Sequence, residues 1–262
     1  MVFYIREIKK EIMEKVNILG IDIDKVNMSE AVGKCVEKIE NKEKFFVVTP
    51  NAEIIVKASK NEGLFKIINS ADLAIPDGIG LVIASKILNN PLMERVTGID
   101  LMTNLLDYAD KKKKKIFLLG GAKNVANQAA KKIKENYPSL IISGTMHGYY
   151  NRCDQGQEES EVIKLINETK PDMLFVGLGC PLQEEFIAKY QGQINSYLFM
   201  VVGGSLDVIS GNIKRAPKFY QENGLEWLYR IIKEPTRLKR SLTLPIFVFK
   251  VLLKKINNII SK

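Results

Sequence analysis

The chain has one histidine and three cysteines among 262 residues, too few of either to organise it. Cys35, Cys153 and Cys180 are widely spaced with no CxxC pair, which argues against a disulfide framework or a zinc site and for a reducing compartment. No run reaches the roughly 18 to 20 consecutive apolar residues that a membrane-spanning helix requires. Residues 1–15 carry charges of both signs and lack the apolar centre of a signal peptide, so the cytoplasm is the expected location. No GxGxxG with a following acidic residue marks a dinucleotide site. Asp22-Ile23-Asp24 has the spacing of a metal-holding DxD, but it falls on a first strand, far from the glycine-rich strand ends. No metal and no cofactor are therefore expected.

What is present fits a globular protein: 46% hydrophobic and 26% charged residues, in a length that supports one large α/β domain with an appendage. The net charge of +9 is unevenly spread, because Gly224 to Lys262 holds nine Lys and Arg against two Glu. A basic, partly apolar tail on a nearly neutral body points to a polyanionic surface.

Five or six apolar strands alternate with amphipathic helices, which predicts a Rossmann-like, doubly wound, mainly parallel sheet. A charged helix over 1–16 precedes an α/β domain over 17–223. Asn17 to Ile23 reads as the first strand, with Ser29 as the N-cap of the next helix. Phe45 to Val48 ends at Thr49-Pro50-Asn51, and Ala71 to Ile75 ends at Pro76-Asp77-Gly78, so Thr49, Asn51 and Asp77 fall at the carboxyl edge where such sheets bind ligands.

Asp77, between a proline and a glycine, suits a general base whose burial raises its pKa; Asp-Gly is equally ordinary turn or capping chemistry. Arg95 reads as a phosphate holder or a solvated arginine. Strands ending at Gly120-Gly121, Gly177-Leu178-Gly179 and Gly203-Gly204 supply small-residue exits, with Tyr149 able to stack on a base and Asp207 able to bond a ribose or uracil edge. Gln183 and Glu184 open a helix at the same edge and also suit its first turn. The lysines 111–115 read as a solvated turn, and His147 is given no role.

Residues 224–262 form a basic amphipathic appendage. Apolar Ile246, Phe247, Phe249, Val251, Leu252 and Leu253 among Lys250, Lys254 and Lys255 suit a helix lying in an anionic membrane interface, with a homo-oligomer interface as the alternative.

The ordered set Thr49-Pro50-Asn51, Pro76-Asp77-Gly78-Ile79-Gly80, Arg95-Val96-Thr97-Gly98, Gly177-Leu178-Gly179, Gln183-Glu184, Arg215-Ala216-Pro217 and Gly224-Leu225-Glu226-Trp227 resembles the TagA/WecG/CpsF glycosyltransferases over about residues 17–240. The resemblance implies inverting transfer from a UDP-sugar donor to an undecaprenyl-diphosphate-linked N-acetylglucosamine acceptor at the inner face of the cell membrane. In the TagA type the sugar is N-acetylmannosamine, β1,4-linked, for teichoic-acid linkage units.

Carried onto this chain, it makes Asp77 the base and gives Thr49, Asn51 and Gln183 the sugars. Arg95, Arg230, Arg237 and Arg240 would neutralise a diphosphate, and Tyr149, Gly203, Gly204 and Asp207 would hold the uridine. Ser241 departs from the aromatic expected after Arg240. A different donor, UDP-N-acetylmannosaminuronic acid or UDP-glucose, is the rival within the fold. A nucleic-acid-binding module is the rival outside it, and no recognised motif favours one.

Overall fold

The computed structural model describes residues 14–151, 157–233 and 243–260. The helix expected over 1–16 falls almost wholly outside them. The described chain opens with a hairpin, β1 (Lys15–Ile18) paired antiparallel to β2 (Ile21–Asp24). Leu19 and Gly20 between them have φ of 53° and 92°. Two successive positive φ values make a tight turn whose twist matches its flanking strands. The run read as one strand over 17–23 therefore folds back on itself. Asp24 is fully buried and accepts a 2.8 Å hydrogen bond from the Ala74 amide, tying the hairpin to the main sheet.

Helix α1 (Met28–Glu40) is capped by Asn27 rather than Ser29. The Asn27 side chain accepts from the Glu30 amide and the Glu30 carboxylate accepts from the Asn27 amide, both at 2.9 Å. That reciprocal box outcompetes a serine already inside the first turn.

Six strands, β3 (Phe45–Val48), β4 (Leu73–Ala74), β5 (Lys115–Gly120), β6 (Ile141–Met146), β7 (Met173–Gly177) and β8 (Leu198–Val201), form one parallel sheet in the order β4-β3-β8-β7-β5-β6. Their side chains alternate between two cores, as period-2 geometry requires of a sheet covered on both faces. Phe46, Phe117, Leu174 and Phe199 face one core, and Val47, Leu118, Phe175 and Met200 face the other. Helices α2 (Ala52–Ala58), α3 (Glu62–Ser70) and α4 (Ile79–Ile87) contribute to the first core. Helix α1 with α5 (Gly98–Lys112) and α6 (Val125–Asn136) covers the second. Helices α7 (Gln157–Thr169) and α8 (Leu182–Tyr190) join the first layer, and α9 (Ser205–Ile209) follows β8. The lysine run lies as expected, with α5 ending in Lys111 and Lys112, a left-handed Lys113, and Lys115 opening β5.

Three helices complete the described chain: α10 (Lys218–Glu222), α11 (Glu226–Lys233) and α12 (Thr243–Ile260). Helix α12 packs on α2 and α4 and buries Phe247 and Val251 completely. Burial of each such side chain is worth about 1.5–3 kcal/mol, which holds this helix to the domain.

Sequential connections run outward from β3 to β4 and from β5 to β6, while β6 returns inward to β7, so β5 and β7 diverge at a switch point. The backbones there are in close contact. A Cβ on Gly120, at φ +141°, would lie 2.3 Å from the Gly177 carbonyl oxygen. The Gly121 amide donates to that same oxygen at 3.1 Å. Gly120→Ala must therefore push β5 from β7 and strain its own backbone, and thermal or urea unfolding is expected to show a loss of about 2–4 kcal/mol.

Candidate active site

Parallel strands deliver all their carboxyl ends to one edge, and the residues expected to act lie along it in strand order. Asp77 follows β4; Thr49 and Asn51 follow β3; Gly203, Gly204 and Asp207 follow β8; Gln183 follows β7; Tyr149 follows β6. With strands about 4.8 Å apart, the five spacings from β4 to β6 give an edge of about 24 Å.

At the β3–β4 end the loops are bonded to each other. The Asp77 amide donates to Pro50 O at 3.1 Å, and the Val96 amide donates to Pro76 O at 3.1 Å. Asn51 caps α2, its Oδ1 accepting from the Ile54 amide at 3.0 Å, which leaves its Nδ2 as a donor. Thr49 is buried, and a Cβ on Gly98 would stand 3.1 Å from its methyl, so only glycine fits comfortably beside it.

Asp77 does not cap the helix that follows. The cap of α4 is Gly78, at φ +100°, with no side-chain hydrogen bond. Its half-buried carboxylate is instead left to its surroundings, where burial pushes its pKa up to about 6. The positive charges of Arg230 and Arg95 and the amide of Gly98 oppose this rise, and Glu226 adds to it. Gly98 is the first residue of α5, so the positive end of a 15-residue helix also favours the charged form.

Arg95 is already engaged. Its Nη1 donates to Glu226 Oε2 at 2.8 Å and its Nη2 to the Gln221 carbonyl at 2.8 Å. Glu226 also meets Arg215 Nε at 3.5 Å, and Arg215 makes a two-pronged pair with Asp100 at 2.7 and 2.8 Å. Arg215, Asp100 and Glu226 carried no individual role in the sequence reading. Arg215 and Glu226 stand in the segments Arg215-Ala216-Pro217 and Gly224-Leu225-Glu226-Trp227, but their partners Asp100 and Arg95 lie 115 and 131 positions away in the chain. Arg230 is half-buried near Asp77, whereas Arg237, Arg240 and Ser241 lie outside the described residues.

Farther along the edge, Gln183 is buried and accepts from the Gly203 amide at 3.1 Å, joining the exits of β7 and β8. Its Nε2 donates to Glu184 Oε1 at 2.9 Å. Glu184 is 1% exposed, and its Oε2 has no hydrogen-bond partner among the described residues. Burial raises its pKa against the lowering bonds of Gln183, its own backbone and Cys180. From the sequence it is a first-turn acid of α8 at this edge, within the Gln183-Glu184 segment of the family resemblance, with no role of its own. Gly179, Gly203 and Gly204 face open space, with no atom within 4 Å of an added Cβ. Tyr149 is 79% exposed beside the β5–β6 exits, where the Gly148 amide donates to Gly121 O at 2.8 Å. The edge thus offers an acid–base group at one end and an open, glycine-lined shelf with an aromatic at the other.

A family described as the glycosyl transferase WecG/TagA/CpsF family matches residues 16–260. The chain belongs to that family. Among its relatives, a protein of Bacillus spizizenii strain W23 is 42% identical over 207 residues, covering 79% of this chain and 78% of the relative. One from Bacillus subtilis strain 168 is 41% identical over 211 residues, 80% of each chain. One from Staphylococcus aureus strain MW2 is 37% identical over 239 residues, 90% of this chain and 92% of its own. Each bears the name N-acetylglucosaminyldiphosphoundecaprenol N-acetyl-beta-D-mannosaminyltransferase. The WecG/TagA/CpsF match extends through α11 and α12, so the region that carries Glu226 and Arg230 lies within the family's common length.

The raised pKa of Asp77 has a stability consequence in this WecG/TagA/CpsF chain. The folded state holds a proton up to about pH 6, while the unfolded aspartate loses it near the ordinary aspartate value of 3.8. The resulting penalty is absent below the unfolded value, grows between the two, and is complete above the folded one. Asp77→Asn is expected to stabilise the protein by about 1–3 kcal/mol at pH 8, with the gain fading below pH 4, as read from paired urea titrations.

Proposed function

We propose that this protein transfers N-acetylmannosamine from UDP-N-acetylmannosamine to undecaprenyl-diphosphate-linked N-acetylglucosamine, with inversion and a β1,4 linkage. The observation that carries the reading is the Asp77 carboxylate, raised to about 6 and uncommitted to helix capping, at the edge of a family member's sheet. The relatives' shared name supplies the donor sugar and the acceptor.

In this reading the 4-hydroxyl oxygen of the acceptor attacks the anomeric carbon of the donor as Asp77 removes its proton. The bond from that carbon to the UDP oxygen breaks, and the diphosphate leaves with the electron pair. A base with a pKa near 6 is mostly ionised at neutral pH yet basic enough to share a proton in the transition state. Arg230, with Arg237 and Arg240, meets the charge growing on the leaving diphosphate, where a guanidinium fork matches phosphate oxygens without a metal. Thr49, Asn51 and Gln183 hold the sugars; Tyr149, Gly203, Gly204 and Asp207 hold the uridine. An edge of about 24 Å has room for the nucleotide sugar and the acceptor sugar end to end.

The acceptor's lipid demands a membrane surface, and α12 is suited to one. Ile246, Phe249, Leu252, Leu253 and Ile256 are exposed on it, while Lys250 and Lys254 bond Ser59 and Asn17 of the domain. No helix among the described residues is long and apolar enough to cross a membrane. A peripheral position on the inner, anionic face of the cell membrane accounts for both features.

Transfer of label from UDP-N-acetylmannosamine to the lipid acceptor tests the proposal, with UDP-glucose and UDP-N-acetylmannosaminuronic acid in parallel. The N-acetylmannosamine donor should be preferred, and Asp77→Asn should lower kcat at least about 100-fold. The wild-type rate should fall below a limb near pH 6, because the base acts only when ionised. Preference for another donor, or undiminished turnover by the variant, would refute the corresponding half. Added EDTA should leave the rate unchanged; a loss restored by Mn or Mg would exclude the metal-free route.

A further inference from the structure

We propose that Glu226 is a positioning residue: its carboxylate, gripped by Arg95 and Arg215, latches helix α11 onto the sheet domain and so holds Arg230 over Asp77. The proposal rests on the reading of Asp77 as the base and deepens it, by assigning how the C-terminal segment is brought to the site.

The latch is a chain of charges. Asp100 in the first turn of α5 holds Arg215 by two bonds of 2.7 and 2.8 Å, Arg215 reaches Glu226 at 3.5 Å, and Glu226 closes on Arg95 at 2.8 Å. The side chains of Arg95 and Glu226 are only 18% and 15% exposed, so water screens the pair weakly. Both ends of the chain are fixed in the sheet domain. Arg95 precedes Val96, whose amide bonds the Pro76 carbonyl next to Asp77, and Asp100 lies two residues after Gly98, whose amide faces the Asp77 carboxylate. Only the middle, from Arg215 to Glu226, belongs to the segment being held.

Helical spacing turns this grip into aim. Glu226 and Arg230 are four residues apart on α11 and share one face of it, so fixing the first directs the second. The start of the helix is fixed too. Gly224, at φ +68°, brings the backbone so close to Ile79 that an added Cβ would stand 2.9 Å from Ile79 Cγ1. Ile79 opens α4 two residues after Asp77. The Arg95 Nη2 bond to the Gln221 carbonyl and the 5.3 Å contact of the Tyr220 and Tyr229 rings join α10 and α11 into one piece.

This assignment gives Arg95 a task different from holding phosphate. Two of its guanidinium nitrogens are spent on Glu226 and Gln221, and the Glu226 carboxylate fills the place that a phosphate would take on it.

The full-length protein tests the latch by two independent readouts. Amide hydrogen exchange across residues 226–233 reports docking without reference to catalysis, with the sheet strands as a control for folding. Glu226→Lys should raise exchange in that helix at least about tenfold and leave the strands protected, Glu226→Gln should do so less, and Glu226→Asp, which keeps the charge, should restore most of the protection. Turnover should fall about tenfold or more in Glu226→Lys, but the same substitution should cost little in an Arg230→Ala background, because the two act in one chain.

Unchanged exchange in Glu226→Lys would overturn the latch and leave the transferase reading intact. Released α11 with full turnover, or equal losses in both backgrounds, would overturn its link to Arg230. Loss of the base role alone would show in Asp77→Asn turnover and would leave the exchange result standing.

Discussion

The structure turns on a carboxylate held between desolvation and positive charge. Asp77 follows a strand only two residues long, Leu73–Ala74, and burial alone would drive it toward the neutral acid. Arg230, Arg95 and the Gly98 amide pull the other way, and the outcome lies near pH 6. Arg95 and Gly98 come from one segment and Arg230 from another, more than 100 residues away in the sequence. The N-terminus of α5, the Arg95 loop and α11 must all be in place for the carboxylate to have this basicity, so the tertiary contacts around it are also its electrostatics.

That dependence explains why the segment from Arg215 to Lys233 is so heavily bonded although it buries little apolar surface. None of the residues of α10 or α11 is buried. What holds the two helices is mostly polar, with ion pairs to Arg95 and Asp100 and backbone bonds such as Leu225 to Tyr220 at 2.8 Å, beside the tight apolar seat of Gly224 on Ile79. Partly exposed ion pairs contribute little to stability one by one. Linked through shared partners, they specify geometry, which the proposed pairing of Arg230 with Asp77 requires.

Much of the sheet and of its carboxyl edge was legible in the sequence because both are written locally. Apolar runs such as 173–177 announce buried strands, and Pro-Asp-Gly or Gly-Leu-Gly announces their ends. Thr49, Asn51 and Asp77 could therefore be placed at the carboxyl ends of two strands, while the pairing of those strands came from the structure. The features that escaped depend on pairings or on small local competitions. The turn at Leu19 requires a positive φ that leucine seldom adopts, so the hairpin read as one strand. Asn27 displaced Ser29 as a cap because Glu30 could answer it. Arg95 and Glu226 are 131 positions apart, as are most of the partners in that network on a similar scale, and no periodicity reports such a pair. The same holds for Gly120 against Gly177, where what matters is a carbonyl on another strand.

Helix α12 rests on two helices that begin at the carboxyl edge of the sheet. One of its faces buries Phe247 and Val251, and Leu244 Cδ1 stands 3.3 Å from where a Cβ on Gly80 would lie; Lys250 bonds Ser59 at 3.0 Å. The helices beneath it are α2, capped by Asn51, and α4, capped by Gly78 beside Asp77. Its other face presents Phe249 and Ile256 without burial. If that face meets lipid, as proposed, the helix serves as a rigid spacer whose buried side rests on the two helices that begin at the site. The depth of its insertion then fixes the height of Asp77 above the headgroups. A lipid-linked sugar has a limited reach from the bilayer, so docking α12 tightly against α2 and α4, rather than leaving it on a free tether, sets the distance over which the acceptor must be met.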